Sequence, residues 1–185
     1  NGNGGTVNGG AVWNTSGWIG NAMTFDGVDD YVNASEDLSL NLTEAITINL
    51  WMNAGDLLEG DGGLVSRSSN VERYFGSCAS DGIHYDLGIL NDVLYWELCD
   101  TSSTSGTVSV PSTNITDGNW HMVSATWSRN NFAKLYYDGV NIINSSSNLT
   151  SPLFSKNIFL EIGGGSNVWE FRGSIDEVLI YNRSL

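Results

Sequence analysis

The sequence predicts an all-β protein of 185 residues that folds as a single domain. The chain contains 22 glycines and much Asn, Ser and Thr, and no segment keeps a helical period of apolar residues. About a dozen short segments instead have the pattern of strands, with turn residues about every 8–12 positions. This combination is typical of an antiparallel two-sheet sandwich or a barrel, here spanning residues 1–185.

The first predicted strands surround a tight turn. Residues 1–21 are rich in Gly and Asn and are expected to form loops with short strands, whereas residues 22–35 give a strand, an Asp-Gly turn and a second strand. Residues 45–53 alternate strictly, which predicts a half-buried strand. One face carries Ile46, Ile48, Leu50 and Met52, and the other carries Thr47, Asn49 and Trp51.

Further strands follow along the rest of the chain. They are predicted at 63–68, 73–79, 83–89, 93–98, 107–110, 121–128, 133–137, 140–144, 158–162 and 174–181. Turn residues such as Asn91 and Asp92 separate them. Asp138 and Gly139 predict a hairpin turn, because both residue types accept a positive φ.

The charge of the chain argues against two classes of partner. Its net charge is −14, and it has only seven Lys and Arg residues, so binding to nucleic acid or to anionic lipid is disfavoured. The acidity suits a protein that binds divalent cations or works outside the cell, and also an ordinary solvated surface. No apolar run reaches the roughly 20 residues of a membrane span. The start at Asn1 is expected for a processed product or a domain of a longer chain.

The glycosylation sequons support an exported protein, in which the two cysteines would be oxidised. Cys78 and Cys99 lack metal-binding spacing, and a disulfide is the default in an oxidising compartment, with two free buried thiols as the alternative. An intervening strand would hold them too far apart to pair. Asn-x-Ser/Thr sequons occur at Asn14, Asn33, Asn41, Asn114, Asn144, Asn148 and Asn182.

Six short motifs occur in order along the chain. They are "GNAMTFDGVDDYV" (20–32), "AITINLWMN" (45–53), "DGNWHMVSATWS" (117–128), "KLYYDGV" (134–140), "EIGGG" (161–165) and "FRGSIDEVLIYNRSL" (171–185). Together they resemble the laminin-G-like (LamG) jelly roll of the concanavalin A-like lectin/glucanase superfamily, over nearly the whole chain. The resemblance implies that Trp120 fills space inside the sandwich and that His121 packs beneath a loop as a core residue.

The sequence departs from this family at its start. Relatives usually carry a further strand there, beside the last strand, so the resemblance implies unpaired backbone groups along Ile175–Tyr181. We expect a strand from a longer parent chain or from a neighbouring copy to fill this place, and head-to-tail exchange between copies would build a filament. The alternative is that residues 1–12 fold back and pair with the last strand. Their high Gly and Asn content disfavours this, because both residue types are poor strand formers.

The carboxylate pattern predicts that the chain is not an enzyme. Glucanases of this superfamily use Glu-x-Asp-x-x-Glu or Glu-x-Asp-x-Glu on one strand, and neither pattern occurs here. Asp176 and Glu177 are adjacent, so on a strand they point to opposite faces. No Ser or Cys nucleophile has a recognisable context beside His121.

Calcium is the predicted metal. Several acidic residues crowd the turn after Asp26, and related jelly rolls often hold a structural calcium between this region and the last strand. The resemblance therefore implies Asp26, a carbonyl near Gly27, and Asp176 as ligands. The alternative is that Asp26 and Asp29 form turns by accepting local N–H groups.

Tryptophan supplies the candidate ligand contacts, since indole rings stack on pyranose faces. Trp51, Trp120 and Trp127 lie in strand motifs and are expected in the core. The candidates in or beside loops are Trp13, Trp18, Trp96 and Trp169.

These patterns favour a non-enzymatic extracellular or cell-surface recognition or adhesion module, binding glycan or protein through loops. The alternative is a structural subunit of a surface assembly or filament joined by strand donation. An accessory binding domain of a secreted hydrolase is a third possibility.

Overall fold

The computed structural model describes residues 4–34, 36–55, 61–68, 83–102, 105–109, 115–154, 158–164 and 170–185. Its strands are β1 (Thr6–Asn8), β2 (Val12–Asn14), β3 (Ala22–Asp26), β4 (Tyr31–Asn33), β5 (Ala45–Ala54), β6 (Asp61–Ser68), β7 (Ile83–Leu90), β8 (Val93–Cys99), β9 (Ser105–Ser109), β10 (Trp120–Ser128), β11 (Phe132–Tyr137), β12 (Val140–Asn148), β13 (Glu161–Ile162) and β14 (Arg172–Tyr181). The helical content of the described residues is one 3₁₀ turn, Leu38–Leu40.

The described strands form two sheets of seven strands each, which face each other. The first has the order β1-β4-β13-β6-β7-β8-β9, and the second has the order β12-β11-β10-β5-β14-β3-β2. Every strand pair is antiparallel. The predicted all-β fold, an antiparallel two-sheet sandwich, is therefore confirmed.

The alternation in β5 explains how the core forms. Ile46, Ile48, Leu50 and Met52 are all buried, and they face the core. Their partner strand β10 buries Val123, Ala125 and Trp127 on the same side. Burial of each large apolar side chain contributes about 1.5–3 kcal/mol, so these two strands anchor the second sheet.

The predicted turns are confirmed, and some strand limits differ. Asn91 and Asp92 have φ values of 50° and 59°, and Asp138 and Gly139 have φ values of 49° and 77°. The strand predicted at 158–162 is limited to Glu161–Ile162. The strand predicted at 73–79 lies outside the described residues.

Strand β14 has one complete and one incomplete neighbour. It pairs with β5 from Gly173 to Tyr181, with an irregularity after Asp176. It pairs with β3 only from Arg172 to Ile175. The two N-terminal strands do not extend this ladder, because β1 pairs with β4 in the first sheet and β2 pairs with β3. Nothing described therefore folds back beside the second half of β14.

Candidate ligand-binding face

The outward side of the second sheet carries large side chains at its centre. Trp51 of β5 lies directly opposite Met122 of β10, and Asn53 lies opposite Trp120. Directly opposed residues on one face have Cβ atoms about 5 Å apart, so these side chains are in contact range. All four are half-buried, which leaves part of each accessible to a ligand.

Trp18 completes this surface from a loop. Its ring stacks on the ring of Trp51, with 3.9 Å between centroids and 14° between planes. The Trp18 side chain is 48% exposed, so the flat face turned away from Trp51 is open to solvent. We call Trp18, Trp51, Trp120 and Met122 the outer platform.

Asp176 holds the Trp18 loop in place. Its Oδ2 accepts a hydrogen bond of 2.9 Å from the backbone N–H of Ile19. Asp176 also lies opposite Trp51 in the β14–β5 register. The carboxylate therefore fixes the loop at the position where Trp18 covers Trp51. A charge-assisted hydrogen bond of this kind is stronger than a neutral one.

Amides and hydroxyls surround the aromatic rings. Asn49 and Ser124 are half-buried and lie opposite each other on the outward side. The Nδ2 of Asn53 donates to the Gly118 carbonyl at 2.7 Å, which ties β5 to the loop before β10. Such groups can both donate and accept hydrogen bonds, which suits a hydroxylated ligand.

His121 lies between two carboxylates at the end of the sandwich, opposite the core residue Met52 and so on the other side of β10 from the platform. Its Nδ1 is 2.8 Å from Asp138 Oδ2, and its Nε2 is 3.1 Å from Asp117 Oδ1. The ring stacks on Tyr137 at 4.7 Å between centroids. The prediction that His121 is a core residue is wrong, because its polar ring atoms join two loops at the end of the sandwich.

The carboxylates control the protonation of this cluster. Partial burial lowers the pKa of His121, but hydrogen bonds and charges from Asp138 and Asp117 outweigh it, and the net pKa is raised. Hydrogen bonds from Asn119, with a smaller contribution from His121, lower the pKa of Asp117 to about 2. His121 is thus stabilised as a cation, bridging the loop before β10 and the β11–β12 turn.

Two tryptophans expected in the core are on the platform instead. Trp127 is buried as predicted, but Trp51 and Trp120 are half-buried on the outward side. The expectation for Trp51 and Trp120 was wrong because placement in a strand motif does not decide which face a side chain takes. The signal was in the alternation itself, since Trp51 shares parity with Thr47 and Asn49.

The predicted loop tryptophans separate into different environments. Trp18 joins the platform, whereas Trp13 lies on the edge strand β2 and is 69% exposed. Trp96 is fully buried in β8 and packs near Tyr85, so its prediction as a ligand contact is wrong. Trp169 lies outside the described residues.

The predicted calcium ligands are not brought together. Asp26 lies opposite Arg172, four residues along β14 from Asp176, which corresponds to about 13 Å. Two oxygens that bind one calcium lie within about 5 Å of each other, so Asp26, Gly27 and Asp176 do not fit a common ion. Asp176 instead positions the Trp18 loop.

Asp26 does cluster with two other carboxylates, Asp29 and Asp30. Ligand atoms of Asp26, Asp29 and Asp30 lie within 4.8 Å of one another. Asp30 accepts backbone N–H groups from Gly10 and Asp26, and Asp26 accepts one from Val28 at 2.8 Å. The bond from Val28 matches the turn-forming alternative for Asp26, and calcium binding stays a prediction.

The structure describes some of the cysteine and sequon residues that bear on export. Cys99 is buried at the end of β8, but Cys78 lies outside the described residues, so their pairing stays a prediction. Asn144 and Asn182 are exposed, whereas Asn33 and Asn41 are half-buried. The Asn14 amide nitrogen, which a glycan would need, donates to Thr24 and Ser174. Asn114 and the Asn148 side chain lie outside the described part.

The family of the chain follows from a comparison with known families. The laminin G-type profile described as the concanavalin A-like lectin/glucanases superfamily matches residues 4–185. The chain therefore belongs to this superfamily, and the predicted resemblance is confirmed. A search of curated proteins found no match. Within the described part of the chain, no helix has the length and apolar character required to span a membrane.

Solved structures with this fold include toxin binding domains. The binding domain of Paraclostridial Mosquitocidal Protein 1 is 14% identical, with a TM-score of 0.74, and the match covers 99% of this chain and 45% of that one. The binding domain of Botulinum neurotoxin DC in complex with rat synaptotagmin II is 14% identical, with a TM-score of 0.69 and coverage of 98% and 44%. The ligand binding domain of Botulinum neurotoxin serotype D in complex with N-acetylneuraminic acid is 15% identical, with a TM-score of 0.72 and coverage of 98% and 43%. The chain thus spans less than half the length of these chains.

Proposed function

We propose that the chain is a non-enzymatic binding module that recognises a glycan through the outer platform. The observation that carries this proposal is the Trp18–Trp51 stack, which presents an open indole face beside amide and hydroxyl groups. The apolar C–H face of a pyranose packs on such a ring, and its hydroxyls bond to neighbouring polar side chains. Toxin domains of the same fold that bind a sugar or a protein support this class of function.

The net charge of the module indicates that it binds a neutral glycan in preference to an acidic one. With a net charge of −14, the protein repels an acidic ligand such as a sialylated glycan. The outer platform contains only neutral side chains, and Asp176 adjoins it. A neutral glycan is therefore the better match, and it contacts the sheet face together with the loop residue Trp18.

A secreted or cell-surface location is part of the proposal. Exposed sequons at Asn144 and Asn182 and the strong negative charge support it. In such a location the domain would act either as a surface recognition module or as the accessory binding domain of a secreted hydrolase. Both roles use the same platform.

The absence of catalysis is also proposed. Asp86 lies opposite Glu97 on neighbouring strands, a carboxylate pair that no motif indicated. Both side chains are at most 2% exposed, and Asp86 Oδ2 accepts a hydrogen bond from Tyr95, so a polysaccharide cannot reach them. Sustained hydrolysis of a polysaccharide by the purified protein would contradict this part.

Affinity measurements on matched tryptophan variants test the function. An array of neutral and sialylated glycans identifies a ligand, and its affinity is then measured by calorimetry for Trp18→Ala, Trp120→Ala and Trp13→Ala. We expect the two platform variants to lose on the order of tenfold in affinity, since one stacked ring contributes about 1–1.5 kcal/mol. Trp13→Ala, which removes an exposed ring elsewhere, should bind as the unmodified protein does. Equal losses in all three variants, or binding to no glycan, would refute the proposal.

A further inference from the structure

A line of polar side chains continues from the outer platform across the second sheet. Trp120 lies opposite Asn53, Asn53 lies opposite Ser174, and Ser174 lies opposite Thr24. A buried core residue adjoins each of these three polar residues in its strand, so alternation turns their side chains outward. All three are half-buried, as Trp120 is, and are therefore accessible in part. We call Asn53, Ser174 and Thr24 the polar row.

Asn14 of β2 orients the two hydroxyls of the polar row. Its Nδ2 donates to Thr24 Oγ1 and, at 3.3 Å, to Ser174 Oγ, and the two hydroxyls share a hydrogen bond of 2.9 Å. Its Oδ1 accepts the N–H of Ser16 at 2.8 Å, which fixes the orientation of the amide. One of the two hydroxyl hydrogens lies in the shared bond, and no described residue accepts the other. The pair therefore offers one O–H donor to a ligand.

Asn53 offers the matching acceptor. Its Nδ2 donates to the Gly118 carbonyl at 2.7 Å, whereas its Oδ1 accepts no hydrogen bond from the described part of the chain. Asn53 is the register partner of Ser174, so their Cβ atoms are about 5 Å apart. An acceptor beside a donor matches a ligand hydroxyl, because a hydroxyl donates one hydrogen bond and accepts others.

We propose that the polar row is a second subsite beside the outer platform and that the ligand is a linear neutral glycan recognised along its chain. This inference rests on the proposed function. One sugar unit packs on the indole rings, and the following units cross the strands from Trp120 toward Thr24. Each hydroxyl of these units that meets the row replaces its hydrogen bonds to water with bonds to Asn53 and to the Ser174–Thr24 pair.

The length of the row distinguishes a chain from a single terminal sugar. Trp120 and Thr24 are separated by three strand spacings, in the order β10-β5-β14-β3, which correspond to about 14 Å. A pyranose unit in an extended chain is about as long as one strand spacing, so about three or four units are needed to reach from the rings to Thr24. A single unit stacked on an indole ring cannot contact the hydroxyl pair.

A series of oligosaccharides of increasing length tests this inference. The probes are cello-, malto- and chito-oligosaccharides of one to five units, and the Kd is measured from the NMR shift of the Trp18 indole N–H. Within a series that binds, we expect affinity to rise about tenfold between one and four units and then to level off, because only the longer probes bond to the polar row. Equal affinity for one unit and for four would overturn the second subsite and leave glycan binding at the platform standing.

A matched pair of substitutions locates the effect. Thr24→Val removes a hydroxyl with little change of shape and should weaken binding of the four-unit probe about fivefold, while binding of the one-unit and two-unit probes stays unchanged. Thr6→Val makes the same replacement on β1 of the first sheet, at an exposed residue, and should change neither. Aromatic circular dichroism of each variant checks that Trp18 still stacks on Trp51.

The remaining outcomes separate a subsite from a structural anchor. The trio of Asn14, Thr24 and Ser174 lies at the base of the loop that carries Trp18. If it served only to hold this loop, Thr24→Val would weaken binding of every probe by the same factor and would reduce the circular dichroism of the stacked pair. That result would overturn the second subsite. Failure of every probe to shift the Trp18 signal would instead contradict the proposed function, and this inference with it.

Discussion

Trp120 and Trp127 belong to one strand, yet they lie on opposite sides of the second sheet. Trp127 pairs in register with Ile46 and is buried in the core, whereas Trp120 pairs with Asn53 on the outward side. An odd number of positions separates them, so strand alternation must place them on different faces. The comparison shows that parity along a strand, and not residue type, separates structural from ligand-facing tryptophans here.

The largest expected difference between the two faces is in stability. Trp127→Ala should lower the free energy of unfolding by about 3–5 kcal/mol, because it leaves a cavity in the core. Trp120→Ala removes a half-buried ring and should cost less than about 1.5 kcal/mol. Urea denaturation of both variants measures this difference. Equal losses of unfolding free energy in the two variants would contradict the assignment of Trp127 to the core and Trp120 to the outward face.

The next effect concerns the residue that joins the platform to the sheet. Asp176→Ala removes the acceptor of the Ile19 N–H and should cost about 1.5–3 kcal/mol, the range for hydrogen bonds to charged groups. Released from this bond, Trp18 should leave Trp51, and the aromatic circular dichroism of the stacked pair should weaken. Trp18→Ala provides the reference spectrum. A full aromatic signal in Asp176→Ala would show that Asp176 does not position Trp18.

A smaller effect should depend on pH through His121. Because its folded-state pKa is raised above the unfolded value, its contribution is fully present below the unfolded pKa of about 6.5 and is lost as pH rises through the folded pKa. The contribution should be at most about 1 kcal/mol, as for other ion pairs near the surface. We expect His121→Gln to remove this part of the stability difference between pH 5.5 and pH 8.5. An unchanged difference would contradict the carboxylate-bridged role.

Calcium should have the smallest effect. For a weak site with a Kd of about 1 mM, 2 mM calcium would stabilise the protein by about 0.6 kcal/mol, or about 2 °C in Tm. Asp29→Asn should remove this shift, and Asp176→Asn should keep it, because only Asp29 belongs to the acidic cluster. No shift in the unmodified protein would show that the cluster serves only to form the turn.

The sequence predicts the sandwich well because local patterns determine its strands. The alternation around Ile48 and the Asp138-Gly139 turn act over a few residues, and both are confirmed. The Trp18–Trp51 contact could not be predicted in the same way, since a loop brings together residues far apart in the chain. The carboxylate that accepts the hydrogen bond of this loop belongs to Asp176, more than 150 positions away from Trp18.

The most direct test of the outer platform is to observe each indole while the ligand binds. The side-chain N–H signals of the tryptophans are recorded by NMR during titration with the glycan identified on the array, and single Trp→Phe variants assign them. We expect the signals of Trp18, Trp51 and Trp120 to shift together with one Kd, while those of Trp96 and Trp127 stay in place. Saturable binding that shifts only Trp13, or that leaves all three platform signals unchanged, would contradict the account.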